Sequence, residues 1–405
     1  GQTGQLRDGV DVTLVGQSTV QTVGGGAFSF GTLPAGTYTI SITHGTYVPF
    51  NQPITVCNDA SGLVLPLVTE GVANGIETIS TIFGDPVNTA TGNYVYQRRD
   101  IEIPGIGMPF VFERSYHSRI DSVGPLGHNW SHNWHAYTAV DVDGNVTVHW
   151  GDGGKSTWAP DGGGGFIPQY GVFDALIDDG GGAYTVRKKN LSTWSFNAGG
   201  ELTAVADRNG NTIALTYTGG NLTQITDTAG RAYTLTYDAS NRITHITDPL
   251  QPTPRTIEFD YDANGDLVRF RDAESYQTEY TYDGNHQILT VKNPRGFTVV
   301  TNTYDPQDRV VTHQSDAKPG GDTGYVYDPA SRMTTITDAE GNVMVHYFDD
   351  LQRLTREVDA NGNEQVYVYD AAGNRTHVTD KNGNQTQYVY DASGNVTDKI
   401  DALGN

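Results

Sequence analysis

From Gln385 to Tyr390 the chain reads Gln-Thr-Gln-Tyr-Val-Tyr, with alternate positions large and apolar. On an extended strand this puts Tyr388 and Tyr390 on one face and Val389 on the other. The same alternation marks Phe110 and Phe112, and Val146 and Val148. Each run ends in a turn phrase. Between Tyr369 and Asn384 two copies of Asp-x-x-Gly-Asn stand ten residues apart. The Asp side chain can accept from the backbone two residues on, and Gly or Asn can take a positive φ, so each phrase reverses a strand. The predicted element is an antiparallel hairpin, closed by one phrase and joined to its neighbour by the other.

The hairpin repeats. Aromatic anchors recur at Phe196, Tyr217, Tyr237, Tyr261, Tyr282, Tyr304, Tyr327, Phe348, Tyr369 and Tyr390, in steps of 20 to 24 residues. A period this steady is an internal repeat and outranks any reading element by element. From Tyr237 onward each anchor precedes an Asp. Ten anchors predict about twenty strands, a ribbon roughly 100 Å wide at about 4.8 Å per strand. Open twisted sheets rarely pass about ten strands without curling, so the ribbon must coil. Each face reads as only half apolar, which predicts a wall around a wide interior rather than a sheet buried on one side. Rows of Tyr across neighbouring strands would add about 0.2–1 kcal/mol per pair.

The repeats resemble the YD-repeat signature, Tyr-Asp-x-x-Gly-[Asn/Arg]-x-x-x-[Val/Ile]-Thr-Asp. Upstream, Asp85-Pro86-Val87-Asn88-Thr89-Ala90-Thr91-Gly92-Asn93-Tyr94, Arg114-Ser115-Tyr116-His117-Ser118 and Gly124-Pro125-Leu126-Gly127-His128-Asn129-Trp130 resemble the region that precedes the repeats in Rhs and YD-repeat proteins. His128-Asn129 departs from that family's pattern, which has a residue and then Gly there. Residues 1–68 hold short β-rich runs at Gly9–Val15, Phe28–Phe30, Tyr38–Ile42 and Ile54–Val56. With Gly26 to Phe30 and Leu33 to Tyr38 they resemble a transthyretin-like, carboxypeptidase-regulatory-like β-sandwich. The expected organisation is all-β: a sandwich over 1–68, a β-rich region over 69–190, and a hairpin array over 191–405. The array stops inside the phrase Asp401 to Asn405, which reads as a truncation or as an edge covered by something else.

Charge and composition narrow the partners. The net charge of −22 argues against nucleic acid and anionic membrane surfaces. No apolar run reaches the length of a bilayer span, and no leader-like segment opens the chain. The single cysteine, Cys57, permits no disulfide within the chain and reads as a small buried hydrophobe.

Candidate chemistry is sparse. His128, His132 and His135 have a spacing open to metal on a helix. Trp130 and Trp134 beside them favour an extended packing segment, in which 128 and 132 share a face and 135 does not. The phrases at Asp141–Asn145, Asp207–Asn211 and Asp359–Asn363 resemble calcium loops but lack the remaining ligands. Asp262, Asn264 and Asp266 form the most acidic turn and are the best candidate for a cation such as calcium. No Gly-x-Ser-x-Gly elbow occurs, and Cys57 has no distinctive histidine context. The family resemblance includes self-cleaving aspartates beyond the array, but no matching motif occurs, so no catalytic residue is assigned and no cofactor is expected. Trp150, Trp158 and Trp194 lie near Gly-rich loops and raise glycan stacking beside the simpler reading as packing.

The resemblance implies a non-enzymatic bacterial scaffold, secreted or on the cell surface, whose wall encloses or presents a C-terminal effector. A fibre or adhesin subunit, joining other chains or itself head to tail, and a carbohydrate-binding surface protein are the alternatives.

Overall fold

The computed structural model describes residues 86–250, 253–315 and 321–405, together with the backbone of four strands in the first 56 residues. Those are β1 (Asp11–Leu14), β2 (Ser18–Gln21), β3 (Gly36–His44) and β4 (Tyr47–Val56), paired in the order β2-β1-β3-β4. Phe28–Phe30 and Cys57 lie outside the described residues, and the likeness of residues 1–68 to a transthyretin-like module is not confirmed.

From Val95 onward every described regular element is a strand. β5 (Val95–Ile103), β6 (Phe110–His117) and β9 (Trp130–His132) form a three-stranded sheet, with a small ladder, β7 (Val123–Gly124) and β8 (Gly127–His128), between them. β10 (Tyr137–Val140), β11 (Val146–His149), β12 (Lys155–Pro160) and β13 (Phe166–Pro168) form a second meander. Then twenty-two strands, β14 (Ala175–Gly180) to β35 (Val396–Ile400), pair in strict chain order into one antiparallel sheet. The continuous sheet thus starts at Ala175.

The turn phrase shows why it is repeated. In Asp207–Asn211 the Asp207 amide donates to the Asn211 carbonyl (3.0 Å) and the Gly210 amide to the Asp207 carbonyl (3.0 Å). Gly210 has φ +84°. This is a three-residue hairpin loop: a type I turn followed by a left-handed residue. Asp207 Oδ1 accepts from the amides of Asn209 and Asn211 (2.8 and 2.9 Å), and Oδ2 from Asn211 Nδ2 (2.7 Å). Where the fifth residue is Arg, its guanidinium takes the place of the amide, as in Arg231 to Asp227 (2.6 Å). One residue type thus caps turn after turn, and at Asp359 the backbone hydrogen bond from Asn363 holds the carboxyl down, to about 2.

Nine of the ten anchors sit where the ladder slips by one residue. Tyr237 pairs with Ile243 but Thr236 pairs with His245, so Thr244 is an extra residue. The same shift falls immediately before every anchor except Tyr327. A β-bulge raises local twist and re-aims side chains. Repeated once per hairpin, it supplies the coiling that strand number alone demands. The extra residue is often Thr, whose hydroxyl donates to the carbonyl across the bulge: Thr203 to Ser195 (3.1 Å), Thr244 to Thr236 (3.2 Å), Thr355 to Tyr347 (3.1 Å). The ribbon turns far enough that its last hairpin meets its first. Lys189 Nζ donates to the Gly394 carbonyl (2.7 Å), and Phe173 packs against Gly394.

The expectation of two half-apolar faces does not hold. Inward positions carry Leu235 and Ile246, Phe259 and Phe270, Tyr280 and Val291, all buried. Outward positions carry exposed Thr236, Thr281 and Thr303. Within the early hairpins the alternation sorts threonines out and large apolar groups in. The second layer of the core comes from the upstream region, which lies along the concave face. Its aromatics belong to the same continuous core as the array's.

Candidate functional site: the seam between spine and shell

Residues 86–135 run as a spine along the concave wall, and their contacts march along the array. Arg231 Nη2 donates to the Pro104 carbonyl (2.5 Å). Phe110 stacks on Tyr233 with ring centroids 3.6 Å apart. The Ile243 amide donates to the Pro125 carbonyl (2.8 Å). Tyr116 donates to the His286 carbonyl (2.9 Å) and accepts from the Ile288 amide (3.0 Å). Trp130 Nε1 donates to Tyr282 (2.9 Å). The Val310 amide donates to the Gly92 carbonyl (3.0 Å), and Thr334 to the Thr89 carbonyl (2.6 Å). Farther on, Tyr170 accepts from Arg353 and donates to the Asp370 carbonyl. Gly92 is required where it stands. It has φ +75°, and a Cβ there would run into Arg309.

The centre of the seam is a buried charge pair. Arg114 donates from Nε and Nη2 to Asp100 (2.5 and 2.9 Å) and from Nη1 to Tyr280 (3.2 Å). Its guanidinium lies 4.2 Å from the Phe270 centroid and 5.2 Å from that of Trp130. Burial pushes the Asp100 carboxyl up although Arg114 pulls it down. Burial opposes the charge on Arg114 as well, but Asp100 and the Tyr280 hydroxyl outweigh it and its pKa ends raised.

The anchor hydroxyls form a second ladder. Tyr237 donates to the Leu222 carbonyl (2.8 Å), Tyr261 to Ile243 (2.6 Å), Tyr282 to Leu267 (2.7 Å), Tyr304 to Ile288 (2.9 Å) and Tyr327 to Val310 (2.7 Å). Tyr369 and Tyr390 repeat it to Leu354 and Arg375 (both 2.9 Å). Each tyrosine latches its own hairpin to the one before. Phe196 and Phe348 lack the hydroxyl, and no such bond is seen at Tyr217.

The other candidates take different places. Asn129, at φ +62°, separates β8 from β9. His128 and His132 are therefore not on one strand, contrary to expectation. His128 crosses the seam and stacks on His286 (3.6 Å), while His132 packs on Phe112 (4.9 Å) and lies 5.8 Å from His135. Asp262 Oδ1 is occupied by the amides of Asn264 and Asp266, and Asp266 accepts from His286 Nδ1 (2.8 Å). Among the described residues no group of three His, Cys, Asp or Glu side chains is placed to hold a metal. Trp158 is buried, Lys188 covers one face of Trp150 at 3.5 Å, and Trp194 meets Trp150 edge-on at 5.5 Å. No described helix is long and apolar enough to cross a membrane.

Residues 232–404 match the Teneurin YD-shell family model, and residues 84–158 match a domain of unknown function, DUF6531. "Probable deoxyribonuclease RhsA" of Dickeya dadantii is 26% identical over 255 residues, which are 60% of this chain and 17% of that protein. "tRNA3(Ser)-specific nuclease WapA" of Bacillus spizizenii is 28% identical over 295 residues, 64% of this chain and 12% of that protein. The chain thus spans under a fifth of those relatives. Both are named nucleases, whereas this chain covers the shell region. A crystal structure of TcdB2-TccC3-TEV superposes with a TM-score of 0.39 at 11% identity, over 90% of this chain and 20% of that one. The family models and the relatives make this chain similar to Rhs and YD-repeat proteins in their shell region.

Proposed function

We propose that this chain is a stretch of the wall and the inner spine of a bacterial, extracellular shell that encloses or presents an effector polypeptide, and that it has no catalytic role of its own. One observation supports this most. The inward row changes character along the array. Early hairpins place buried Phe259 against Phe270, whereas the last places half-buried Tyr388 against exposed Lys399. The spine covers the first part of the concave face and leaves the later part polar and open to another occupant. The test is site-specific photocrosslinking in the whole protein from which this shell segment comes. A benzophenone at Tyr388, inward, should crosslink to an effector segment, and one at Val389, outward, should not. Equal crosslinking, or crosslinking from Val389 alone, would defeat enclosure. No described contact favours the fibre or the glycan reading over this one.

A further inference from the structure

His128 stacks on His286, His313 packs on Tyr94 and His346 bonds Thr89, each across the seam, and His117, His132, His135 and His149 pack within the upstream region behind it. His245 and His377 sit on the outward strand face, and the side chain of His44 is outside the described residues. Such a concentration at and behind one internal boundary needs a physical reading. We propose that the seam is an acid-released latch, in which protonation of its imidazoles detaches the spine from the concave wall and opens that wall.

The geometry suits neutral rings. His117 is buried. Its Nδ1 lies 3.1 Å from the Asn93 amide nitrogen, which can only donate, and its Nε2 lies 2.6 Å from the Asp152 carbonyl. A proton on both nitrogens would set N–H against N–H at Asn93. His132 is 1% exposed, and its Nδ1 has no hydrogen-bond partner. Its neighbours include the Phe112 ring, His135 and, across the ladder, Arg114, whose partner carboxylate Asp100 is already engaged. His135 in turn faces Tyr137 and Ser131. His149 stacks on Tyr137 and is paired across the ladder with Lys155. His346 meets Thr89 Oγ1 through Nδ1 (2.9 Å), directly across the seam. Glu357 stands 3.8 Å away and is shared with Lys381. His313 bonds Asn302 Oδ1 (2.7 Å) and packs on Tyr94 of the spine. His128 and His286 stack in parallel at 3.6 Å across the seam, with His286 Nδ1 2.8 Å from Asp266 and Arg242 nearby.

Burial draws His117, His135, His149 and His346 down to about 4, and His132 well below its usual value. A freed ring titrates near 6.5. A folded value below the free one gives stability that is whole above about pH 6.5 and is lost as pH falls toward the folded value. Between pH 7 and 5 each ring released on opening should favour the open seam about 20-fold.

Hydrogen exchange tests this on the whole described chain. The amides of Ile243, Ile288 and Val310 donate to Pro125, Tyr116 and Gly92, so they report the seam. The ladder amides between Glu364–Tyr369 and Arg375–Thr379 report the wall. After correction for intrinsic exchange, seam protection should fall at least about 20-fold from pH 7 to 5 while wall protection changes less than about threefold. H346Q should make that fall smaller by removing one titrating ring at the seam. Unchanged seam protection, a seam and wall that fall together, or an undiminished fall in that variant would overturn the proposal. A variant already unprotected at pH 7 does not bear on the wild-type comparison, which decides alone.

Discussion

Replacing Arg114 by Met tests whether the spine, where it meets the wall, rests on a buried charge pair that cannot lose one member. The side chains of Arg114 and Asp100 are 1% and 3% exposed. Met fills much of the aliphatic volume among Phe270, Trp130 and Phe259 but leaves the buried Asp100 carboxylate without its bonded partner. Breaking one side of a buried pair costs about 3–5 kcal/mol, most of it the isolated charge rather than the lost attraction. Asp100→Leu should cost a similar amount for the mirror reason. Arg114→Met with Asp100→Leu removes both charges and should return to within about 1 kcal/mol of wild type, because two apolar groups replace a pair that had to be desolvated. Urea unfolding followed by tryptophan fluorescence suits the measurement, since Trp130 lies against Arg114. The coupling from the four proteins should be at least about 3 kcal/mol and rescuing in sign. Additive losses, or an Arg114→Met cost below about 1 kcal/mol, would show that the buried pair does not stabilise the spine.

Other consequences follow from the same contacts. Tyr282→Phe removes a hydroxyl that accepts from Trp130 and donates to Leu267, so urea unfolding should show a loss of about 1–3 kcal/mol; Tyr390→Phe, at the exposed last hairpin, should cost under about 0.5 kcal/mol. Asp227→Ala frees two amides and Arg231, for about 1–2 kcal/mol by the same measurement. The turn carboxyls at Asp227, Asp238 and Asp305 are held below the ordinary aspartate value. Their contribution is therefore whole above about pH 4 and lost below it, a second acid step well under the one at the histidines, visible in a pH series of melting temperatures. Gly394→Ala puts a Cβ 2.6 Å from the Phe173 ring at φ +71°, so exchange at Lys189 and Gly394 should quicken while the hairpin ladders stay protected. Calcium at millimolar concentration should leave the melting temperature unchanged, since the Asp262 and Asp266 carboxylates are already engaged.

The local grammar is legible in the chain alone. Aromatic anchors at a steady period, Asp-x-x-Gly-Asn corners and strict alternation are properties of ten or twenty consecutive residues, and they yield hairpins in chain order, about the right number of strands, and Tyr388 opposite Val389. The bulge was also within reach, since Leu202-Thr203, Leu222-Thr223, Ile243-Thr244 and Leu354-Thr355 repeat the apolar-Thr pair at which the ladder slips. Only the tertiary structure decided which face is the core. Arg114 meets Tyr280, Thr89 meets His346 and Lys189 meets Gly394 across separations of 166, 257 and 205 residues. No local pattern encodes contacts of that range. They exist because repeated bulges bend the ribbon round a spine, and the sum of many small twists, rather than any single residue, sets where distant side chains come together.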